Sequence, residues 1–111
     1  MLIEIAPHEV ERILRSRKAI LIDVREREEY EQEAILGAIL QPMSLFLPDG
    51  WLPVAGHRLS VLMCLGGIRS AAIGHRLLQA GHTPVTHMKG GLLAWKAAGL
   101  PTTATLLRKS K

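Results

Sequence analysis

Val61-Leu62-Met63-Cys64-Leu65-Gly66-Gly67-Ile68-Arg69-Ser70 is the stretch on which the fold turns. It begins as the end of a buried strand, Leu59 to Met63, and passes through the only cysteine and two glycines. It then enters an apolar helix, expected from about Arg69 to Ala80 and stopped by Gly81. Strand, glycine-rich loop, helix is the layout by which an α/β sheet presents a ligand site. The site lies at the carboxyl end of a strand, beside a helix amino terminus whose first N–H groups lack intrahelical partners. Cys64 occupies that point.

A free thiol titrates near about 8.5 and is only slightly ionised at neutral pH, so a nucleophilic cysteine needs local positive potential. Gly66 and Gly67 let the backbone curl so that successive N–H groups face the sulfur, while Arg69 and the helix dipole add positive charge. A cation in a first helical turn is mildly disfavoured by that dipole, so Arg69 hints at a bound anion. The competing reading of Cys64 is a small buried hydrophobe. The junction of strand end and helix start favours a stabilised thiolate or persulfide anion instead.

Outward from the loop, short apolar runs alternate with helical patterns, which predicts an α/β domain with a largely parallel sheet. Leu2 to Ile5 reads as a first strand, and Pro7 opens a helix whose Val10, Ile13 and Leu14 share one face. Ala19 to Val24 is a buried strand that delivers Asp23 and Arg25 to its carboxyl end, as a paired structural feature. A helix rich in Glu26, Glu28 and Glu29 should follow, then a short strand over Ile35 to Leu40. Between Gln41 and Arg58, prolines and Asp49-Gly50 break every periodicity, leaving a long irregular connection with room for one helical turn. Phe46, Leu47 and Trp51 within it either cover the core or rim the Cys64 pocket. Pro84 to Met88 makes the last strand, and a helix anchored by Trp95 runs to Gly99.

The 111 residues suit one domain with one modest core. That domain is expected over 1–102, with 103–111 a basic tail in which Leu106 and Leu107 have room to pack one turn. Hydrophobic residues at 48% and charged residues at 22% are ordinary globular usage. A net charge of +4 favours small anionic ligands but is too small to imply nucleic acid. No apolar run has membrane-spanning length, and the start lacks the pattern of a signal peptide, so the expected location is the cytoplasm, with no membrane partner. One cysteine gives no internal disulfide and no multi-cysteine metal site.

Three stretches together resemble the rhodanese family, over about Ile5 to Thr102. They are Leu21-Ile22-Asp23-Val24-Arg25-Glu26 with Glu29-Tyr30, the C-x-x-G-x-R-S loop from Cys64 to Ser70, and Lys89-Gly90-Gly91 through Trp95, Gly99 and Pro101. The resemblance implies a central, mostly parallel five-stranded sheet with helices on both faces. It also implies ping-pong sulfur transfer, with Cys64 as nucleophile and persulfide carrier. Leu65, Gly66, Gly67, Ile68, Arg69 and Ser70 would bind the substrate as an anion cradle, with Arg69 as the cation for the donor. The partners implied are a small anionic sulfur donor, such as thiosulfate, and a thiol, protein or cyanide acceptor; no cofactor or metal is required. Related cell-cycle phosphatases and arsenate reductases use a loop one residue longer, and the tighter cradle here suits sulfur rather than phosphate. Where family members often read Gly-His-Ile-Pro-Gly-Ala, this chain has Glu33-Ala34-Ile35-Leu36-Gly37-Ala38.

His8, His57, His75, His82 and His87 have no tight metal-ligand spacing and read mostly as surface or helix-end residues. His75 lies too far along its helix to return to Cys64, so no Cys-His dyad is expected from it. The leading expectation is a sulfurtransferase. The alternative is a sulfur-relay or regulatory protein-binding module that uses the same pocket with little turnover.

Overall fold

The computed structural model describes residues 1–51 and 54–109, with backbone alone at Val54, Ala55, Arg108 and Lys109. The apolar runs form strands β1 (Leu2–Ile5), β2 (Ala19–Asp23), β3 (Ile39–Leu40), β4 (Val54–Ala55), β5 (Arg58–Met63) and β6 (Val85–Met88). Between and after them lie α1 (Pro7–Arg15), α2 (Arg27–Gln32), α3 (Ile68–Gln79), α4 (Gly91–Ala97) and α5 (Thr103–Lys109). Five strands pair in parallel in the order β1-β6-β5-β2-β3, and β4 adds antiparallel to the start of β5.

Alternation along the strands divides the core into two layers, one on each face of the sheet. Leu21, Val61, Met63 and Met88 pack beneath Val10 of α1 and Leu92 and Trp95 of α4, with Tyr30 of α2 against the same layer. On the opposite face Ile22, Leu62 and Val85 pack against Ile73 and Leu77 of α3, together with Phe46 and Trp51. The expected sheet with helices on both faces is therefore what forms. Phe46 and Trp51 cover this second layer with ring centroids 5.8 Å apart, whereas Leu47 is exposed.

The topology also fixes where a ligand can bind. Neighbouring strands β2 and β5 send their chains onward to opposite faces, into α2 on one side and α3 on the other. Their carboxyl ends therefore flank the crevice at which the strand order reverses, the usual binding position in open α/β sheets. Cys64 immediately follows β5 there.

Three local expectations change. The strand expected over Ile35 to Leu40 shrinks to β3, because Ala38 donates its N–H to the Ile35 carbonyl at 3.1 Å and closes a turn. That turn buries Ile35 and Ala38 while exposing Leu36. The irregular connection contains the expected helical turn, a 3-10 turn at Met43–Leu45, and also β4, too short to show a period. Residues 52 and 53 of that connection lie outside the described residues. At the end of the chain α5 is docked: Thr103 donates its N–H to the Ala34 carbonyl at 2.8 Å, and Ala34 donates back to Thr103 Oγ1 at 3.1 Å. Leu106 and Leu107 lie exposed on it, and Lys111 of the basic end is outside the described residues.

Candidate functional site

The loop after β5 is shaped by its backbone. Leu92 and Leu93, at the start of α4, donate N–H groups to the carbonyls of Cys64 and Leu65 at 2.9 and 3.0 Å. With its carbonyls drawn toward α4, the loop turns amides the other way, onto the sulfur. Gly67 N–H meets Cys64 Sγ at 3.1 Å and Ser70 N–H meets it at 3.3 Å. Gly67 has φ +101°, the left-handed geometry that reverses the chain into α3. Gly66 has ordinary φ and open space beside it, so the curl rests on one of the two glycines. Ile68 and Arg69 are the first residues of α3, where N–H groups have no intrahelical acceptor.

Cys64 is more enclosed than a sulfur displayed on a loop, at 1% exposure, and it packs in the layer that contains Val24 and Ile73. The surroundings of Sγ are nevertheless polar on the loop side, with the Ser70 hydroxyl at 3.6 Å completing the two amides. Side chains of the loop diverge: Ser70 is fully buried beside the sulfur, Leu65 is partly exposed, and Ile68 projects outward at 84% exposure.

Arg69 is not a free cation. Its two terminal nitrogens donate to the two carboxylate oxygens of Glu29 on α2, at 2.7 and 2.8 Å. The hydrogen bonds from Arg69 hold the Glu29 carboxyl down at about 2, against a burial effect that opposes them. The same pairing raises Arg69, and the Cys64 side chain adds to that in the same direction. Glu29 also accepts the Glu26 N–H at 2.9 Å, and Glu26 in turn holds Ser44. Asp23 and Arg25 form the expected strand-end pair, fully buried and joined through both carboxylate oxygens, with Arg25 also donating to the Glu33 carbonyl at 2.8 Å. A cavity of about 220 Å³ between these pairs touches the loop at Leu65 and is lined by Arg25, Glu29, Gln32, Glu33 and Leu92 as well.

One site residue escaped sequence reasoning. His87 lies in β6 at 1% exposure, unlike the exposed His8, His57 and His75. Its Nδ1 is 2.8 Å from Ser70 Oγ, and its Nε2 is 2.9 Å from Glu4 Oε2. The signal available in the sequence was a histidine inside an expected strand, between Thr86 and Met88; that it sits in register with Leu62 of β5 comes from the sheet.

A family model of the rhodanese-like domain matches residues 6–98, a span that holds the β2 end, the Cys64 loop and the Gly90-Gly91 turn together. The chain belongs to the rhodanese-like family. An uncharacterized protein of Synechocystis sp. is 40% identical over 103 residues, covering 93% of this chain and 57% of that protein. The chain thus spans little more than half the length of that relative. A protein of Allochromatium vinosum named a sulfurtransferase is 32% identical over 94 residues, covering 85% of this chain and 87% of its own. Among solved structures, a rhodanese-related protein from Thermoplasma volcanium superposes with a TM-score of 0.75 at 26% identity, covering 91% of this chain and 97% of that one.

Within the rhodanese-like frame, the departure at Ala34 falls where α5 docks. The small side chain is buried, and its backbone is the dock for Thr103, while Thr102 donates to Glu33 Oε2 at 2.6 Å. The rhodanese-like loop itself is untouched by that exchange, since Ala34 meets α5 rather than Cys64.

Proposed function

We propose that this chain is a sulfurtransferase that moves sulfane sulfur from an anionic donor such as thiosulfate, through a persulfide on Cys64, to a thiol or cyanide acceptor. In the first half-reaction the Cys64 thiolate attacks the terminal sulfur of the donor. A new S–S bond forms at Cys64, the donor's own S–S bond breaks, and sulfite leaves with the bonding pair. In the second, the acceptor takes the outer sulfur and the Cys64 thiolate is restored, so no electrons are exchanged with an outside carrier.

The observation that carries this reading is the pair of amides, Gly67 and Ser70, converging on Sγ at the start of a helix. Donors fixed before reaction stabilise charge on the sulfur without reorganisation. The cradle extends through the unpaired first amides of α3, where the outer sulfur of a persulfide would carry its charge. Leu65, Gly66, Gly67, Ile68 and Ser70 act through their backbone, and Arg69 acts as a fixed cation partly offset by Glu29. Residues 1–102 carry this chemistry and the basic end, 103–111, has no part in it. A reducing compartment such as the cytoplasm suits a sole working thiol.

The test is steady-state formation of thiocyanate from thiosulfate and cyanide. Cys64→Ala should abolish turnover and leave the melting temperature close to that of the parent. Sulfite release at the parent rate from the alanine variant would overturn the assignment.

A second reading, a sulfur-relay module with little turnover of its own, is favoured by the exposed apolar side chains of Ile68 and Leu93 beside the loop. Rapid transfer to a protein thiol, with negligible transfer to cyanide, would decide for the relay.

A further inference from the structure

A buried thiol has to lose its proton somewhere, and bulk water barely reaches Cys64. The structure offers one continuous hydrogen-bonded route. Cys64 Sγ lies 3.6 Å from Ser70 Oγ, Ser70 Oγ lies 2.8 Å from His87 Nδ1, and His87 Nε2 lies 2.9 Å from Glu4 Oε2. Three elements contribute: α3 supplies Ser70, β6 supplies His87, and β1 supplies Glu4. The route starts in the core and ends at a side chain that is 53% exposed.

We propose that Ser70, His87 and Glu4 form a proton relay that accepts the Cys64 proton and makes the enclosed sulfur reactive. His87 acts through Ser70, as a positioning residue that also takes the proton. This inference rests on the reading of Cys64 as the nucleophile.

The direction of each hydrogen bond follows from its partners. A carboxylate only accepts, so Nε2 carries its proton toward Glu4, and the relay uses the tautomer in which Nδ1 is the acceptor. The Ser70 hydroxyl has two acceptors within reach, the Gly67 carbonyl at 3.2 Å and His87 Nδ1 at 2.8 Å; in the relay it donates to the shorter, Nδ1, and keeps a lone pair for the Cys64 S–H. On transfer the S–H bond breaks and a Ser70 O–H bond forms, while the original hydroxyl proton moves to Nδ1. The products are a thiolate, an intact serine and an imidazolium whose Nε2–H still faces Glu4; charge and protons balance. In that state the Ser70 hydroxyl donates to the sulfur, adding a third donor to the two amides.

The ring's surroundings favour this use. Glu4 on β1 is the charged group bonded to it, Ser70 meets it from α3, and β5 presents the apolar Leu62 in register. Arg69 stands beyond, next to Cys64 and paired with Glu29. A histidine retained only for packing would need neither a hydroxyl on one nitrogen nor a carboxylate on the other. Buried polar groups linked this completely are costly to assemble and are worth their cost when they orient or move a proton.

Because the chain has one cysteine, the rate of alkylation by iodoacetamide against pH reads Cys64 alone. The parent should show two steps, the first marking the thiolate paired with imidazolium. His87→Asn keeps an acceptor where Nδ1 lies but cannot hold the proton, so its profile should collapse to one later step. Its rate near neutral pH should fall by roughly a hundredfold, the lower end of what a positioned proton-transfer group contributes. Glu4→Gln, at an exposed position that leaves the fold intact, should keep both steps and lower the plateau between them. A His87→Asn or Glu4→Gln profile that superimposes on the parent's overturns the relay. Sulfur uptake from thiosulfate, followed on the same samples by intact mass, separates the two claims. A two-step profile without any sulfur adduct defeats the sulfurtransferase reading and supports the relay; an adduct with a one-step parent profile does the reverse.

Discussion

Gly91→Ala should destabilise the protein severely and unseat the Cys64 loop from a distance. Gly91 opens α4 with φ +61°, and a Cβ there would stand 2.5 Å from the Leu65 carbonyl oxygen and press equally on that of Cys64. Those carbonyls accept the N–H groups of Leu92 and Leu93. Left-handed geometry costs alanine about 1 kcal/mol, and forcing a methyl group against backbone costs about 1–3 kcal/mol. Weakening the two hydrogen bonds adds about 1 kcal/mol. The sum, about 3–5 kcal/mol, is a large share of the roughly 5–15 kcal/mol that holds a domain folded. Gly99→Ala is the control. Its φ is +78°, yet a Cβ there meets nothing within 4 Å, so it carries the backbone cost of about 1 kcal/mol alone. Urea denaturation followed by circular dichroism gives both values, and Cys64 alkylation reports the loop. Equal losses in the two variants would refute the claim that α4 clamps the loop through Gly91.

Three further outcomes follow from charged groups. Asp23→Ala leaves the Arg25 guanidinium buried without its carboxylate and should cost about 3–5 kcal/mol, read as a lowered urea midpoint; a loss under 1 kcal/mol would contradict the buried pair's structural role. Glu29, with its folded carboxyl near 2 rather than the usual 4.5, contributes stability that is complete above about pH 4.5 and is lost as the pH falls toward 2. After allowance for solvent screening that contribution is roughly 1–2 kcal/mol, so Glu29→Gln should flatten the acid limb of a urea-midpoint profile, and an unchanged limb would count against it. Arg69→Ala should raise the KM for thiosulfate by roughly tenfold, the worth of a charge-assisted hydrogen bond, whereas an unaltered KM removes Arg69 from donor binding.

Much of this architecture is legible in the sequence because the deciding signals are local. Ala19–Asp23 and Arg58–Met63 are apolar runs of strand length, and the break from Met63 through Gly67 marks the turn into α3. Pro7 and Gly81 punctuate helices as their backbone chemistry requires. What escaped is either too short to show a period or depends on contacts distant in sequence. The turn at Ile35–Ala38 hides in an apolar run, and β4 is two residues whose pairing with Arg58 and Leu59 no period announces. The docking of α5 relies on Thr103 meeting Ala34 across 69 residues.

The site divides in the same way. Cys64, Gly67 and Ser70 sit within one turn of chain, so their convergence follows from spacing. Arg69 finds Glu29 across 40 residues, and that pairing turned an expected free cation into half of an ion pair. His87 is joined to the site only because the β1-β6-β5 order lays β6 beside β5 and brings α3 across it. A strand histidine looks like packing until the hydroxyl it faces is known.

The most direct measurement is the intact mass of the protein after incubation with thiosulfate and removal of excess reagent, with no acceptor present. The account predicts a gain of one sulfur atom, reversed by cyanide and absent from Cys64→Ala. An unchanged mass in the parent protein, with Cys64 still free to react with iodoacetamide, would contradict it.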